Sequence, residues 1–559
     1  MTRTRMAAMA LLATAAPHFT AHAQAAPAAR AKQFTRADTL RGSNGPARVW
    51  WDVEFYDLTT QVSPADSSLR GVNAVTYRVL HAAKAGSTTW QIDLQVPLTV
   101  DSIVQGGKRL TVSQEGNAWF ATVASAQKVG ERHTATVYYH GKPRPAVRPP
   151  WDGGLIWRTD SLGATWVATA NQGLGASVWW PTKDTQRDEP DSQRVAIRVP
   201  DPMVNVSNGR LRRVQHHDDK TTTWEWFVTR PVNNYAIVIN AGTYDHFSEM
   251  YRGERGPLTL DYWPLAYHRQ AAEHQFRQVA PMLQCFEHWF GPYPWYEDGF
   301  KIVESPHLGM EHQSAVAYGN RYQNGYLGTD LSNTGLGLLW DFIIVHESAH
   351  EWWGNNLTTQ DVADMWVHES FANYAEGLYT ECRLGKAAGA RYTIGSRAKV
   401  RNDAPIIAPY GVNEQGSGDM YYKGGNMLHT IRTVINDDAK WRDILRGLQH
   451  TFRAKVVTGA EVQQYMSAQA GIDLSTIFTQ YLTTTVIPTL EWRVEGDGIA
   501  VRWADAVPGF RLPVTLTAGG KSAQVLPSAE WTRVALGVGA NGALRVDENL
   551  YVRVRRAGD

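Results

Sequence analysis

His346-Glu347-Ser348-Ala349-His350 places two imidazoles four residues apart, with a carboxylate beside the first. On a helix that spacing puts both rings on one face. They can hold one metal ion between them while Glu347 reaches a water on it. A catalytic zinc usually takes three protein ligands, and Glu369 follows after 18 residues. Asn373 and Glu376 recur at helical spacing on the face of Glu369, where they can hydrogen-bond the ligands. A bare motif of this kind also turns up on ordinary helices, where backbone carbonyls satisfy the histidines. A third ligand in register favours one Zn2+ per chain, held by His346, His350 and Glu369, with Glu347 as base.

Two helices must position these groups. Ile343, Ile344, Val345, Trp352 and Trp353 predict a buried helix that Gly354 ends. Asn355 to Asp361 is polar enough for a loop, and a second helix is expected from about Met365 to Leu384, closed by Gly385.

Peptide-bond hydrolysis also needs a group that stabilises an oxyanion and a group that selects the bond. In Leu308-Gly309-Met310-Glu311-His312-Gln313-Ser314, Glu311 could pair with a substrate ammonium; the plain alternative is a solvated carboxylate. In Asp419-Met420-Tyr421-Tyr422-Lys423-Gly424-Gly425, a tyrosine hydroxyl could donate to an oxyanion; the plain alternative is packing.

The chain around these stretches has 559 residues, 43% hydrophobic and 19% charged, with a formal charge of +1. This composition suits a soluble globular protein with a sizeable core and gives no pointer to nucleic acid. Residues 1–23 read as a secretory signal: Arg3 and Arg5, an apolar run from Met6 to Ala16, then Ala21-His22-Ala23. That run is too short to span a bilayer, so the expectation is an exported protein, periplasmic or secreted, without membrane insertion. A low-complexity tail is expected over 24–47. From 48 to 254 alternation such as Val53–Leu58, Asn73–Leu80, Thr134–Tyr139 and Arg194–Val199 predicts long antiparallel sheets. Residues 255–487 are read as the helical catalytic domain, with helices over His268–Phe290, Gly424–Asn436, Ala439–Phe452, Gly459–Ala470 and Leu474–Leu482. Alternation returns over 488–559, which suggests a small β-sandwich. Trp50-Trp51, Trp179-Trp180 and Trp352-Trp353 are assigned chiefly to buried packing. Cys285 and Cys382 are read as two separate buried thiols, with a disulfide left open in an oxidising compartment.

Taken together, the zinc motif with its third ligand, Gly309-Met310-Glu311 ahead of it and Tyr421-x-Lys423-Gly424 after it resemble the aminopeptidase N family of zinc metallopeptidases, gluzincins that include the leukotriene hydrolase. Phe290–Trp295, Asp188-Glu189-Pro190 and Asn234–Gly242 are similar to further family stretches. The resemblance implies a multidomain α+β fold: an N-terminal β-saddle, a thermolysin-like catalytic domain and a C-terminal β-sandwich. It implies Glu347 and Tyr421 as catalytic residues, and Glu311, Gln172, Gly309 and Met310 as substrate-binding residues that grip a peptide's free N-terminus. His312 and His368 stand where the family usually has asparagine. The implied activity is removal of N-terminal residues from peptides. An endopeptidase, an epoxide hydrolase and a non-enzymatic peptide-binding protein are the alternatives on this scaffold.

Overall fold

Alternation in Trp51–Ser63 and Ser68–Val79 buries most alternate side chains, interrupted in the first strand by a bulge between Val53 and Phe55. The two strands pair antiparallel across the turn 64–67. They form the centre of an eight-stranded sheet. The computed structural model describes residues 32–537 and 544–558. The expected signal over 1–23 lies outside the described residues. By its contacts the chain divides between Thr35 and Arg36; residues 32–35 have no helix or strand, and the main body starts at Arg36. Within the stretch read as a tail, Arg36–Gly42 forms a short helix.

The large sheet is not wholly antiparallel. Trp51–Ser63 pairs in parallel with Ser192–Pro200, from Phe55 opposite Ser192 to Gln61 opposite Arg198. Alternation identifies a strand but not its direction, and the long excursion between these two strands supplies the crossover that a parallel pair requires. A four-stranded and a three-stranded sheet complete this β-rich region. Its apolar core runs from Trp50 to Ala241 and includes Trp51, Trp179 and Trp180, all buried.

The helical region is built on a five-stranded sheet whose edge strand is Gly309–Met310. The expected helix over 268–290 is broken into Arg269–Gln275 and Val279–Phe290, with a 3-10 turn at Phe276–Gln278 between them. Pro281 explains the break, because it has no N–H to bond the carbonyl of Arg277. Helices at Trp366–Leu384, Tyr422–Ile435, Asp438–Thr451, Gly459–Ala470 and Ser475–Thr483 follow the expected pattern closely. Beyond them the chain adds a four-stranded and a three-stranded sheet. These strands share one apolar cluster with the helices, reaching from Leu258 to Leu550 and including Trp352 and Trp353. The architecture is therefore α+β, with a large β-rich N-terminal region and a helical region after it.

Cys285 and Cys382 are bonded to each other, not separate thiols, with Cα atoms 6.1 Å apart. Val279–Phe290 packs against Trp366–Leu384, which brings together two residues 97 positions apart. Sequence position alone gave no sign of that packing. No helix among the described residues is long and apolar enough to cross a membrane.

Candidate metal centre and active site

Asp341 starts the motif helix, Phe342–Ala349, by accepting from the amides of Ile343 at 3.0 Å and Ile344 at 3.3 Å. This cap satisfies two of the helix's unpaired donors. Burial pushes the Asp341 carboxyl up to about 6. The helix is shorter than expected. It ends at Ala349, His350 caps it in helical conformation, and Gly354 turns the chain only later, at a φ of 125°. His346 and His350 still share one face, their ring centroids 5.1 Å apart.

The second helix, Trp366–Leu384, closes at Gly385 as expected and brings Glu369 to the two histidines. Glu369 Oε2 lies 3.6 Å from His346 Nε2 and 3.4 Å from His350 Nε2. Among the described residues that oxygen is buried without a hydrogen-bond partner. The far ring nitrogens are occupied: His346 Nδ1 donates to Glu376 Oε1 at 2.8 Å, and His350 Nδ1 donates to the carbonyl of Trp353 at 2.8 Å. Those bonds fix the tautomers and leave both Nε2 lone pairs facing an otherwise unpartnered carboxylate oxygen. Two imidazoles and a carboxylate converging in this way fit a zinc ion.

Glu376 is itself held on its second oxygen by Tyr392, at 2.7 Å. Asn373 does not reach a ligand; its amide donates to Glu376 Oε1 at 3.1 Å. His368, beside Glu369, is fully buried, and its Nε2 accepts from the Thr359 amide at 3.0 Å. Burial pushes its pKa down to about 3, so it stays neutral in the wall behind His350.

Gly309 and Met310 form the edge strand beside the motif helix. A Cβ on Gly309 would stand 2.8 Å from Glu347 Oε1 and 2.9 Å from Ile343 Cγ2, so a larger residue here would force Glu347 and Ile343 to move. Glu311 follows, buried, and Oε1 accepts from Gln172 Nε2 at 2.7 Å and from the Tyr235 hydroxyl at 2.9 Å. Gln172 Nε2 also lies 3.5 Å from Glu369 Oε1, linking the β-rich region to the metal set. Tyr421 brings its ring within 6.0 Å of the His346 ring. Burial, then Glu369 and Glu311, hold its hydroxyl well above the ordinary tyrosine range, so it remains a donor. All these residues except Tyr235 line one cavity of about 500 Å³.

Three supporting residues escape motif reading. Glu351, one turn beyond Glu347, accepts from the Ser314 amide at 2.8 Å, and Asn355 donates to the carbonyl of Glu311 at 2.9 Å. Together they clamp the Glu311 stretch to the end of the motif helix. The spacing of Glu351 from Glu347 was the one available signal. Tyr235 lies in the family-like stretch Asn234–Gly242, but nothing there points to a contact with Glu311. His312 is buried behind Glu311, and burial followed by the neighbouring His307 pushes its pKa well down. Burial pushes both Glu311 and Glu347 upward. Three carboxylates, Glu311, Glu347 and Glu369, thus face one small space, which is an environment built for cations.

Residues 274–481 match the peptidase family M1 domain. Aminopeptidase N of Streptomyces lividans is 24% identical over 395 residues, covering 63% of this chain and 43% of its own length. Probable aminopeptidase 1 of Sulfurisphaera tokodaii is 21% identical over 329 residues, covering 56% of this chain and 41% of its own. The chain thus spans less than half the length of these curated relatives. Among solved structures, a mutant M1 zinc metallopeptidase from Deinococcus radiodurans bound to a Tyr-Ser-Ala substrate superposes with a TM-score of 0.65 at 20% identity, covering 79% of this chain and 96% of that one. A two-domain M1 zinc metallopeptidase bound to L-tryptophan gives 0.67 at 20% identity, covering 80% and 96%. The matched segment contains His346, Glu347, His350 and Glu369, so the stretch that carries the candidate metal centre is similar to the M1 peptidase domain.

Proposed function

We propose that the protein is a zinc aminopeptidase that removes N-terminal residues from peptides. The observation that carries this reading is the position of Glu311. Buried and held by Gln172 and Tyr235, it opens on the same cavity as His346, His350 and Glu369. A peptide's ammonium group paired with Glu311 at one end leaves room for only the first peptide bond at the metal. An endopeptidase has no use for such an anchor.

Bound between His346, His350 and Glu369, zinc would polarise the scissile carbonyl and acidify a water. Glu347, beside this site, would serve as the general base toward the attacking water and would return the proton to the leaving amine. Tyr421 donates its hydroxyl hydrogen to the oxyanion that develops on the carbonyl. Glu311 and Gln172 fix the amine, so that the carbonyl meets Glu347 and Tyr421 in a reactive geometry.

On this reading the β-rich region is an N-terminal β-saddle, the helical region a thermolysin-like domain and the last seven strands a β-sandwich. We also infer export to the periplasm or the medium. The basic and apolar start of the chain supports this, and so does the Cys285–Cys382 bond, since disulfides persist in oxidising compartments.

The test compares free and N-acetylated versions of one peptide, using wild type, Glu311→Ala and Glu347→Gln. Free peptides should be cut at the first bond and acetylated ones scarcely at all. Glu311→Ala should lose most of that discrimination, while Glu347→Gln should keep its zinc and lose several orders of magnitude in turnover. Internal cleavage of acetylated peptides at the free-peptide rate would overturn the reading.

A further inference from the structure

Trp151 is 62% exposed, and among the described residues no other tryptophan is as open to solvent. A single exposed side chain of this kind is ordinary by itself; this one also lines the cavity that holds His346, His350 and Glu369. It stands at the tip of a tight loop whose stem is well fixed. Arg148 and Asp152 exchange backbone hydrogen bonds at 3.1 and 2.9 Å, and the Val147 amide donates to the Asp152 carbonyl at 3.0 Å. Arg144 adds a side-chain bond to Asp152 Oδ1 at 2.5 Å.

The loop's far end is locked onto the strand that leads to the active site. A Cβ on Gly153 would meet the Ala170 carbonyl oxygen at 2.0 Å, so this contact admits only glycine. Two residues beyond Ala170 the same chain supplies Gln172, whose amide holds Glu311. Trp151 and Gln172 therefore emerge side by side from one rigid corner. Both line the 500 Å³ cavity of the metal set, and with Gly173 they divide it from a neighbouring cavity of about 370 Å³.

Given the amine anchor proposed above, the first residue's side chain must leave its α-carbon close to Glu311 and Gln172. Among the residues that line the cavity with Glu311 and Gln172, the Trp151 indole, Pro150 and Met310 offer surface to that side chain. These are apolar and carry no charge to pair with an ionic side chain. We propose that Trp151 is a specificity-determining residue: its indole covers the side chain of the substrate's first residue and favours large apolar and aromatic ones. Aromatic contacts and apolar burial together discriminate by roughly tenfold to a hundredfold in such pockets.

The inference rests on the aminopeptidase reading, and one titration series separates the two. Zinc-loaded wild type, Trp151→Ala and Trp151→Phe are titrated calorimetrically with L-phenylalanine, L-alanine and N-acetyl-L-phenylalanine. Wild type should bind L-phenylalanine about tenfold more tightly than L-alanine. Trp151→Ala should compress that ratio to about twofold, and Trp151→Phe should restore most of it. A ratio unchanged in Trp151→Ala, or affinities for both amino acids lowered equally, would overturn the role of Trp151. Equal binding of free and acetylated phenylalanine would overturn the amine anchor instead, and the ratio in Trp151→Ala would still judge the indole.

Discussion

The Tyr235 hydroxyl donates to Glu311 Oε1 at 2.9 Å, joining two residues 76 positions apart and in different regions of the fold. Burial, then Glu311 itself, holds that hydroxyl well above the ordinary tyrosine range, so it stays a donor. The carboxylate is thereby aimed from behind, with Gln172 on the same oxygen.

Tyr235→Phe removes this one hydrogen bond and keeps the ring. A hydrogen bond to a charged group is worth about 1.5–3 kcal/mol, so kcat/KM for free-amine peptides should fall roughly tenfold to a hundredfold. Most of the loss should appear in KM, because anchoring is made in the ground state. Zinc content should not change, as Tyr235 touches no ligand. Unaltered kinetics in this variant would show that Gln172 positions Glu311 alone.

Glu376 offers a second test, on metal affinity. It accepts from His346 Nδ1 and is braced by Tyr392 and Asn373. Glu376→Ala frees the imidazole to rotate and to change tautomer, and should weaken zinc binding by about 10- to 100-fold. Competition with a chelator of known affinity measures this without any activity assay. An undiminished affinity would mean that packing against Phe342, stacked on the His346 ring at 5.1 Å, already fixes it.

How far the site could be read from sequence depends on where its parts lie. His346, Glu347, His350 and Glu369 fall on two helices close in the chain, so spacing alone places them on facing surfaces. Glu311 follows a two-residue edge strand, where periodicity says nothing about which cavity it enters; its residue type suggests an ammonium partner, and family resemblance decides against the solvated carboxylate. Tyr235 and Gln172 reach the site through the packing of one region on another, a relation that spacing and periodicity do not show; resemblance alone points to Gln172, and the contact of Tyr235 is not foreseen. The same limit explains the disulfide and the parallel pairing of Trp51–Ser63 with Ser192–Pro200. Both are contacts between distant segments, whereas helices such as Gly459–Ala470 were legible because their capping and burial are local.

The disulfide ties Val279–Phe290 to the helix that carries Glu369 and Glu376. Losing a native disulfide costs about 2–5 kcal/mol in small domains, mainly through the unfolded chain. A Cys285→Ser/Cys382→Ser double variant should therefore melt at lower temperature, and reductant should lower the wild-type midpoint but leave that of the variant alone. Turnover per bound zinc at moderate temperature should be nearly unchanged, since neither sulfur faces the cavity. A reductant effect of equal size on both proteins would trace the loss to something other than this bond.

The last prediction concerns pH and His429. It is a buried residue of the helix Tyr422–Ile435, with Nε2 2.9 Å from Oδ1 of Asn549, in the turn before the last strand. Burial pushes its pKa from 6.5 down to about 4, the bond to Asn549 opposes this, and Arg432 and Arg397 reinforce it. The folded value lies below the unfolded one, so between these limits the unfolded chain binds more protons. The stability that neutral His429 contributes is complete above pH 6.5 and is lost as pH falls toward 4. Buried carboxyls such as Asp341, raised to about 6, work in the opposite sense, so the wild-type profile alone cannot isolate His429. His429→Gln keeps a donor for Asn549 and cannot charge. Its stability relative to wild type should rise on acidification from about pH 7 to pH 4, by on the order of 3 kcal/mol. Denaturant midpoints of the two proteins across that range measure the difference directly, because every other titrating group cancels. A difference independent of pH would mean that His429 is charged in the folded protein and that its seat beside Asn549 is open to water.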